Sequence, residues 1–561
     1  MTVEPAAAAS SADAHGPTGV EVLIAQLAAR GVRRIFGVPG GECSLDVIDA
    51  ARRWRGTGGD AGNGNGIEFV LARSESAAAI MAAVHAELTG SLGVVLTTRG
   101  PGLANAVNGI AYAALDRAPL LLIADGWEDD EAFVSYQRFD QMKVLEPLVK
   151  GSLRLNGAAP LHALGPLFDL ALAAPMGPVY LEVTATGMRA PARSHSMLWP
   201  TRSATASPPP PMEDILEARD LVARAERPVI IAGLQAREQR ATGALRKLVT
   251  RWKCPVFTTY KGKGVIADDD PHLIGHYLGG PGETPLMSGA DLIILVGADP
   301  IEFPPKRWPW HAPVLELAAH PFERQYVMPR QSLTGDLADA LAGIESAARA
   351  GGWKPEQLIE AKSDIRGRAL SGFAIGISPQ RVIEAVRIAL APDAVITVDA
   401  GAHMLPAMAL TEARRPRQVL ISKGLATMAF ALPAAIGAAL ADPGQRVVAL
   451  IGDGGLMMCA GELATAAQAG CRLTVVVFND SRLTLIEVKQ HRRQLPLVGV
   501  ICSPTDFSQV AEGFGCKGLR VERARDLVPA LVQAMAGEGP VVVDVVVDPT
   551  PYREQIAALR G

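Results

Sequence analysis

Excess positive charge, paired cysteines and a hydrophobic leader are all missing from this sequence. The 561 residues carry a formal net charge of −4, which excludes the basic footprint of a nucleic-acid-binding protein. The six cysteines are scattered without a CxxC pair, and we interpret them as reduced thiols of a cytoplasmic protein. The first residues have neither a basic segment nor a long apolar run. Residues 1–17 are therefore predicted to be a disordered tail rather than a signal peptide.

One long uncharged run raises the question of a membrane span. Residues Gly424–Ala441 contain no charged side chain over 18 positions, a length at which spanning helices begin. The run is dominated by alanine and glycine and is interrupted by Pro433. Because small residues permit close packing, we predict a buried helix here and no contact with a membrane.

The length of the chain predicts more than one hydrophobic core, since single cores rarely exceed about 250–300 residues. Three blocks alternate apolar strand patterns with alanine-rich helical patterns, which indicates βαβ units and parallel sheets. We predict an α/β protein of three doubly wound parallel-sheet domains. The domains are expected at residues 18–190, 213–345 and 376–549, with a proline-rich linker at 191–212, a connector at 346–375 and a C-terminal tail at 550–561.

The first and third blocks share a strand followed by a glycine-rich turn and a helix of small residues. The turns are GPGLAN (100–105) and GDGGLM (452–457). Both begin like the G-x-G-x-x-G dinucleotide fingerprint and fail at its last glycine, where Asn105 and Met457 stand. Each turn alone is also compatible with a purely structural role. Two similar open sheets can nevertheless bind one ligand between them, at the carboxyl ends of their strands.

A pair of carboxylates accompanies the second turn. Asp453 follows the strand VVALI, and Asp480 follows the next strand, LTVVVFN, 27 residues later (480 − 453). One β–α–β unit fits that interval, so both carboxylates should lie at the carboxyl ends of neighbouring parallel strands. Such oxygens beside glycine amides suit Mg²⁺, which prefers a few protein oxygens together with phosphate oxygens. The sequence therefore predicts a magnesium site that bridges to a bound phosphate.

The spacing Gly452-Asp453-Gly454, 24 further residues and Asn479-Asp480 resembles the cofactor motif of enzymes that use thiamine diphosphate (ThDP) and Mg²⁺. The segments GVRRIFGVPGGE, TTRGPGLANAVNGIAYAALDRAPLLLIAD, TTYKGKGVI and GLATMAFALPAAIGAAL resemble the same family and occur in its order. The likeness covers about residues 18–549 and looks closest to acetohydroxyacid (acetolactate) synthases, pyruvate oxidases and 2-keto acid decarboxylases. It implies a pyrimidine-binding, a central and a diphosphate-binding domain.

The resemblance assigns roles around the organic part of the cofactor. Glu75 would hydrogen-bond the pyrimidine ring and help to activate the cofactor, a task for which a buried carboxyl is suited. Met428 would support the bent cofactor conformation, and the carbonyl of Ala426 would accept from its amino group. The family usually has glycine at position 426, so the local packing is expected to differ here.

The resemblance also implies the residues at the diphosphate. Asp453, Asp480 and the carbonyl of Arg482 would bind Mg²⁺, although the family commonly has asparagine at position 480. His403 matches a histidine that contacts the phosphates. The other implied cofactor contacts are Ala402, Gly454, Gly455, Leu483 and Leu485.

In this family the pyrimidine-binding and diphosphate-binding domains of one site come from different subunits, which implies a homodimer or a dimer of dimers. Gln137 would be a polar group near a 2-keto acid substrate. Gly41 stands where decarboxylases carry an acidic or hydroxyl side chain. Without that proton donor, carboligation to a second carbonyl is favoured. The resemblance therefore implies an acetolactate-synthase-like enzyme that decarboxylates one 2-keto acid and joins the remainder to a second carbonyl.

Three departures keep other functions open. Phe303, Lys489 and Ala185 stand where acetohydroxyacid synthases have an arginine for the second acid's carboxylate, a tryptophan and a lysine. Substitutes for the arginine are Lys489, Arg492 or Lys306. The alternatives are a decarboxylase of the benzoylformate or indolepyruvate type, a nicotinamide dehydrogenase and a catalytically silent regulatory homologue. Dependence on FAD is left undecided, because the central block has no clear nucleotide fingerprint.

Overall fold

A computed structural model describes residues 16–54, 66–156, 161–192, 207–322 and 327–561. Most of the predicted N-terminal tail, and residues 193–206 of the predicted linker, lie outside these ranges. Within them, the strands form three sheets of six parallel strands each. Helices lie between most successive strands, and the predicted α/β class of three parallel-sheet domains is confirmed.

In the first domain, α-helices alternate with the strands along the chain. The strands are β1 (Arg34–Gly37), β2 (Glu68–Leu71), β3 (Gly93–Thr97), β4 (Leu120–Asp125), β5 (Ser152–Leu155) and β6 (Pro178–Val183). The helices are α1 (Gly19–Ala29), α2 (Cys43–Arg53), α3 (Glu75–Thr89), α4 (Pro101–Leu115), α5 (Gln141–Leu145), α6 (Leu164–Leu172) and α7 (Ala185–Arg189).

The central domain follows the proline-rich segment. Its strands are β7 (Pro228–Ala232), β8 (Val256–Thr258), β9 (Leu273–His276), β10 (Leu292–Val296), β11 (Val314–Ala318) and β12 (Gln331–Thr334). Its helices are α8 (Met212–Arg224), α9 (Gln239–Trp252), α10 (Thr284–Ser288) and α11 (Leu337–Glu345), and α12 (Pro355–Ala369) forms the connector to the third domain.

The third domain ends in a helix that follows its last strand. The strands are β13 (Val395–Val398), β14 (Val419–Ile421), β15 (Val447–Gly452), β16 (Leu473–Asn479), β17 (Lys517–Val521) and β18 (Val541–Val546). The helices are α13 (Pro379–Ala389), α14 (Met404–Leu410), α15 (Ala431–Ala441), α16 (Asp453–Cys459), α17 (Glu462–Gln468), α18 (Thr484–Arg492), α19 (Phe507–Gly513), α20 (Ala524–Ala536) and α21 (Thr550–Arg560).

The first and third domains have the same topology. Their strand orders are β2-β1-β3-β4-β6-β5 and β14-β13-β15-β16-β18-β17, so each strand of the first sheet has a counterpart in the third. Inner strands such as β4 and β16 are buried along their whole length, as expected for parallel sheets covered on both faces. The similarity inferred from the two glycine-rich turns therefore extends over both sheets.

The uncharged run 424–441 packs between these two sheets. Only its second part, Ala431–Ala441, forms the helix α15, whose residues are nearly all buried, and α15 lies against α3 of the first domain. Residues 424–430 precede this helix and are not helical, so the predicted buried helix is shorter than the run. A Cβ added to Gly437 would lie 2.5 Å from the carbonyl oxygen of Met81, so glycine is needed for this helix contact. Pro433 lies in the first turn of α15, where a missing N–H breaks no helical hydrogen bond. Searched over the described ranges, the helices include none with the length and hydropathy of a membrane span.

One carboxylate joins all three domains. Asp116, at the end of α4, accepts hydrogen bonds from the backbone N–H groups of Lys423 (2.8 Å) and Gly424 (3.2 Å) in the third domain. Leu425 N–H lies 3.4 Å away, and Lys261 of the central domain donates to the same carboxylate at 3.2 Å. The Asp116 side chain is completely buried. The Asp116 carboxylate therefore fixes the start of the segment that leads from residue 422 to α15.

We predict that Asp116→Asn destabilises the protein strongly, because it removes the nearer of the two carboxylates that face the buried Lys261 ammonium and leaves only Glu87, at 3.6 Å. Breaking a buried ion pair typically costs about 3–5 kcal/mol. The Tm from differential scanning fluorimetry should fall by several degrees. Asp49→Asn is the control, since Asp49 is about half exposed beside Arg52 and Arg53 and should leave the Tm unchanged. A wild-type Tm in the Asp116 variant would contradict this account of the domain junction.

Candidate functional site

A pocket of about 220 Å³ opens at the carboxyl ends of the third sheet. It lies among the turn after β13, the segment before α15, the start of α16 and the turn after β16. It brings together eleven residues that the resemblance implied as cofactor contacts. They are Ala402, His403, Ala426, Met428, Asp453, Gly454, Gly455, Asp480, Arg482, Leu483 and Leu485.

Two carboxylates lie side by side in this pocket. Asp453 begins α16 after β15, and Asp480 follows β16, which pairs with β15 in parallel. Asp480 accepts hydrogen bonds from the Arg482 N–H (3.0 Å) and the Thr484 hydroxyl (2.6 Å). In contrast, Oδ2 of Asp453 is buried without a hydrogen-bond partner among the described residues. The arrangement provides an unsatisfied anionic oxygen beside a second carboxylate.

The electrostatics of the pair fit a cation. Burial raises the pKa of Asp453, and burial together with the Asp453 charge raises the pKa of Asp480 to about 7. A divalent cation would relieve both effects, because it attracts the charged form of each carboxylate. No group of three or more His, Cys, Asp or Glu side chains in the described ranges could hold a metal. Mg²⁺ is typically bound through one or two carboxylates, with water and phosphate oxygens as its other ligands, and Arg482 lines the same pocket.

His403 lies on the opposite wall of the pocket. Its ring stacks on Phe478 with the centroids 5.0 Å apart, and burial lowers its pKa to about 4, so the imidazole is neutral at pH 7. A Cβ added to Gly401 would lie 2.7 Å from this ring. Nε2 is buried and has no hydrogen-bond partner in the described part of the chain. The ring hydrogen-bonds the backbone carbonyl of Leu450 through its other nitrogen, so Nε2 would donate to a phosphate oxygen in the protonated ring, the form that a bound anion favours.

A second buried carboxylate, Asp399, holds the segment that carries Met428. It accepts hydrogen bonds from the N–H groups of Ala429 (3.1 Å), Phe430 (2.8 Å) and Ala431 (3.3 Å). A Cβ added to Gly455 would lie 2.0 Å from Asp399 Oδ2, so the GDGG turn packs directly on the same carboxylate. The sequence analysis missed Asp399, although its position directly after β13 was a usable signal.

The segment itself has an unusual backbone. Ala426 and Ala429 have φ values of 54° and 63°, in the left-handed region that normally favours glycine. The family's preference for glycine at position 426 agrees with this conformation. Two alanines of this segment therefore adopt a backbone conformation that normally favours glycine.

The other three predicted residues lie at the carboxyl end of the first sheet and do not line the pocket. Glu75 begins α3, is half-buried and accepts a hydrogen bond from the Asn105 side chain. A Cβ added to Gly102 would lie 3.2 Å from Glu75 Oε1, and one added to Gly100 would lie 2.9 Å from the Gln137 Cβ. Gly41 has open space around it. The predicted residues thus form two groups, here called candidate half-sites, at corresponding edges of two similar sheets.

The segment predicted as a C-terminal tail forms α21 and contributes Tyr552 to the pocket wall. Its side chains at 552, 555, 556 and 559 are buried. Their helical spacing was visible in the sequence, but the resemblance ended before it. Burial and the charges of Asp480 and Asp453 raise the pKa of Tyr552 well above its ordinary value.

The residues that replace the arginine, tryptophan and lysine of acetohydroxyacid synthases do not line the pocket. Phe303 is buried in an aromatic cluster with Tyr277 and Trp308. Lys306 donates to the carbonyls of Gly279 and Arg560. Two further substitutes for the missing arginine lie on α18, where Arg492 donates to the carbonyl of Gly561 and Lys489 is exposed, while Ala185 begins α7.

The central sheet bears on the question of FAD. Its order, β12-β11-β10-β7-β8-β9, is the dinucleotide-binding order, with a switch point between β7 and β10. There the buried carboxylate of Glu302 accepts from Leu234 N–H (2.9 Å), Asp299 N–H (3.1 Å) and the Thr259 hydroxyl (2.6 Å). A Cβ added to Gly233 would lie 2.6 Å from Glu302 Oε2. A carboxyl of the chain itself, with a pKa that burial raises to about 7, therefore lies at the switch point where dinucleotides bind in such sheets.

Comparison with known proteins identifies the family. Models of the thiamine pyrophosphate enzyme N-terminal TPP binding domain, central domain and C-terminal TPP binding domain match residues 17–144, 215–344 and 399–545. The chain is 29% identical over 551 residues to an acetolactate synthase of Bacillus subtilis (strain 168), covering 94% of this chain and 93% of that protein. It is 29% identical over 559 residues to the catabolic acetolactate synthase of Raoultella terrigena (96% and 95%). An acetolactate synthase large subunit of Parasynechococcus marenigrum (strain WH8102) is 30% identical over 562 residues (95% and 88%). The chain belongs to the thiamine diphosphate-dependent enzymes and lies close to the acetolactate synthases among them.

Proposed function

We propose that this enzyme is an acetolactate-synthase-like carboligase that uses ThDP and Mg²⁺. The observation that carries the proposal is the pocket of the third domain, where an unpartnered Asp453 oxygen, Asp480 and an unpartnered His403 nitrogen face one another. The near full-length likeness to acetolactate synthases supports a 2-keto acid as substrate. The family match leaves the nicotinamide dehydrogenase alternative without support.

The described residues suit both parts of the cofactor. Asp453, Asp480 and the Arg482 carbonyl are proposed to hold Mg²⁺, and His403 with the turn amides is proposed to bind the diphosphate. The remaining pocket residues are proposed to enclose the rings, namely Ala402, Ala426, Met428, Leu483 and Leu485. When bound, ThDP supplies a carbon nucleophile that adds to the 2-keto carbon and accepts the electron pair left when CO₂ departs.

The site is proposed to be completed by a second copy of the chain, in a homodimer or a dimer of dimers. The pocket lacks Glu75, and apolar side chains are exposed beside both half-sites. Met457 and Met458 next to the pocket are 54% and 63% exposed, and Phe133 and Tyr136 near Gln137 are 85% and 73% exposed. Exposed apolar groups of this kind mark interaction surfaces. Glu75 of one copy would then complete the pocket of the other.

Gly41 supports carboligation over simple decarboxylation. Open space surrounds it, so no side chain at this position can protonate the carbon that keeps the electron pair after CO₂ leaves. That carbon is then free to attack a second carbonyl, with Gln137 as the nearby polar group. For pyruvate, two molecules and one proton would give one acetolactate and one CO₂. Phe303, which is part of a buried cluster, stands in place of the arginine that would bind a carboxylate of the acceptor. The acceptor therefore need not be an acid, and pyruvate and aldehydes are both candidate acceptors.

A cytoplasmic location is proposed as well. All six cysteines are free, and five of them are buried. Free thiols in this number are typical of proteins from a reducing compartment.

The cofactor site is tested by calorimetric titration of ThDP into the protein with and without Mg²⁺. Tight binding is expected only with Mg²⁺, and Asp453→Ala should weaken it by more than about 100-fold, since even indirect partners of a metal contribute about 10–100-fold. The control is Asp526→Ala, at an exposed carboxylate of α20, which should bind like the wild type. Wild-type affinity in the Asp453 variant would contradict the proposed metal site.

The reaction is tested by incubating the holoenzyme with pyruvate and measuring CO₂, acetolactate and acetaldehyde. We expect acetolactate and one CO₂ for every two pyruvates consumed. A decarboxylase would instead give acetaldehyde and one CO₂ per pyruvate, and absence of both products would exclude pyruvate as the donor.

Glu75→Gln tests the role of Glu75 in the same assay. It should bind ThDP nearly as well as the wild type and form product at least about 100-fold more slowly, the range of lost acid–base catalysis. Full activity in this variant would contradict the role of Glu75.

A further inference from the structure

The C-terminal helix supplies a pocket wall that the family models do not cover. The match to the C-terminal TPP binding domain ends at residue 545, and α21 begins at Thr550. Tyr552, in its first turn, lines the same pocket as Asp453, Gly454 and Asp480 and is only 2% exposed. The model of the C-terminal TPP binding domain therefore does not include this residue.

The first turn of α21 is held firmly against the connector. Gly372 has a φ of 88°, and a Cβ added there would lie 2.6 Å from the Pro551 Cα, so the backbones touch. Gln555, one turn after Tyr552, donates to the carbonyl of Ser371 (3.2 Å) and to the side chain of Gln380 (2.8 Å). The position of the phenol ring is therefore fixed by close contacts on either side of it.

The last turn is anchored in the central domain. A Cβ added to Gly280 would lie 2.0 Å from the carbonyl oxygen of Leu559. Arg368 of α12 donates to the carbonyl of Ala558 at 3.0 Å, and Lys306 donates to that of Arg560. Since both ends of this short helix are held, the backbone of Tyr552 is fixed beside the pocket by contacts with the connector and the central domain.

No hydrogen bond joins the phenol hydroxyl to another described residue, and the hydroxyl is not one of the fully buried atoms without a partner, so it is accessible from the pocket that the ring lines. Hydroxyls of buried tyrosines usually find a partner. The pocket it faces already holds two carboxylates, so an anionic ligand there needs additional donors, and a phenol is a neutral donor. An unpartnered donor, fixed beside the proposed metal ligands, points to a ligand oxygen as its partner.

We propose that the Tyr552 hydroxyl donates a hydrogen bond to the diphosphate of bound ThDP. The inference rests on the proposed cofactor site and adds a binding residue that lies outside the matched domain. Hydrogen bonds to charged groups are stronger than neutral ones, so loss of this hydroxyl should weaken diphosphate binding about tenfold or more.

The test compares wild-type protein with Tyr552→Phe by calorimetry, using two ligands at saturating Mg²⁺. The ligands are ThDP and inorganic pyrophosphate, which shares only the diphosphate. Both dissociation constants should rise by a similar factor of about ten. The control is Tyr112→Phe, because the Tyr112 hydroxyl is buried without a partner among the described residues but lies outside the pocket; its affinities should be unchanged.

The outcomes separate this inference from the cofactor site itself. If the wild type binds neither ligand, the cofactor site and the role of Tyr552 both fail. If the wild type binds and Tyr552→Phe binds equally well, or loses affinity for ThDP alone, only the tyrosine contact is overturned.

A second measurement on the wild type requires no variant and covers the case of a poorly folded Tyr552→Phe. The measurement is a crystal structure of the wild type with magnesium pyrophosphate, in which the Tyr552 hydroxyl should lie within about 2.5–3.0 Å of a phosphate oxygen. A phenol oxygen without a phosphate oxygen in hydrogen-bond range would overturn the contact.

Discussion

The cofactor pocket depends on two buried carboxylates that hold one segment of backbone between them. Asp116 binds the N–H groups of residues 423–425, and Asp399 binds those of residues 429–431. The stretch between them contains Ala426 and Met428, with Ala426 in a left-handed conformation. That conformation costs about 1–2 kcal/mol for alanine, whereas hydrogen bonds to a charged group contribute about 1.5–3 kcal/mol each. The carboxylates therefore outweigh the strain and fix the positions of the Ala426 carbonyl and the Met428 side chain.

The same two carboxylates explain why the domains form one unit. Asp116 belongs to the first domain, is bound by Lys261 of the central domain and holds a segment of the third. Asp399 packs on the GDGG turn through Gly455, so the metal-binding turn and the Met428 segment share a single support. The C-terminal helix adds a third connection, since it reaches from the central domain to the pocket. The pocket geometry is thus set by contacts among all three domains.

Much of the site was predictable because its signals are local. The spacing of Asp453 and Asp480 follows from one β–α–β unit, and parallel pairing of β15 with β16 brings both to the same sheet edge. The similarity of the first and third sheets was likewise visible in their turns. These inferences needed only strand patterns, turn chemistry and the family resemblance.

Other features depend on tertiary contacts that no local pattern encodes. Tyr552 follows the last strand in a segment that looked like a tail, and its role depends on glycines 280 and 372, far away in the sequence. In the sequence, Glu302 looks like an ordinary turn residue. Its carboxyl nevertheless lies at the switch point of the central sheet, where it accepts a hydrogen bond from Leu234 N–H. Glu75 is only half-buried, whereas its task suggests a buried carboxyl. In a single chain, no second copy is present to cover this candidate half-site.

The central claim is that each active site combines the first domain of one chain with the third domain of another. Mixed dimers of Glu75→Gln and Asp453→Ala chains, co-expressed with different tags and purified through both, test it directly. One of the two sites in such a dimer has both intact half-sites, so about half of the wild-type activity should return although each parent variant is inactive. Mixed dimers as inactive as the parents would show that both half-sites must come from the same chain and would contradict the claim.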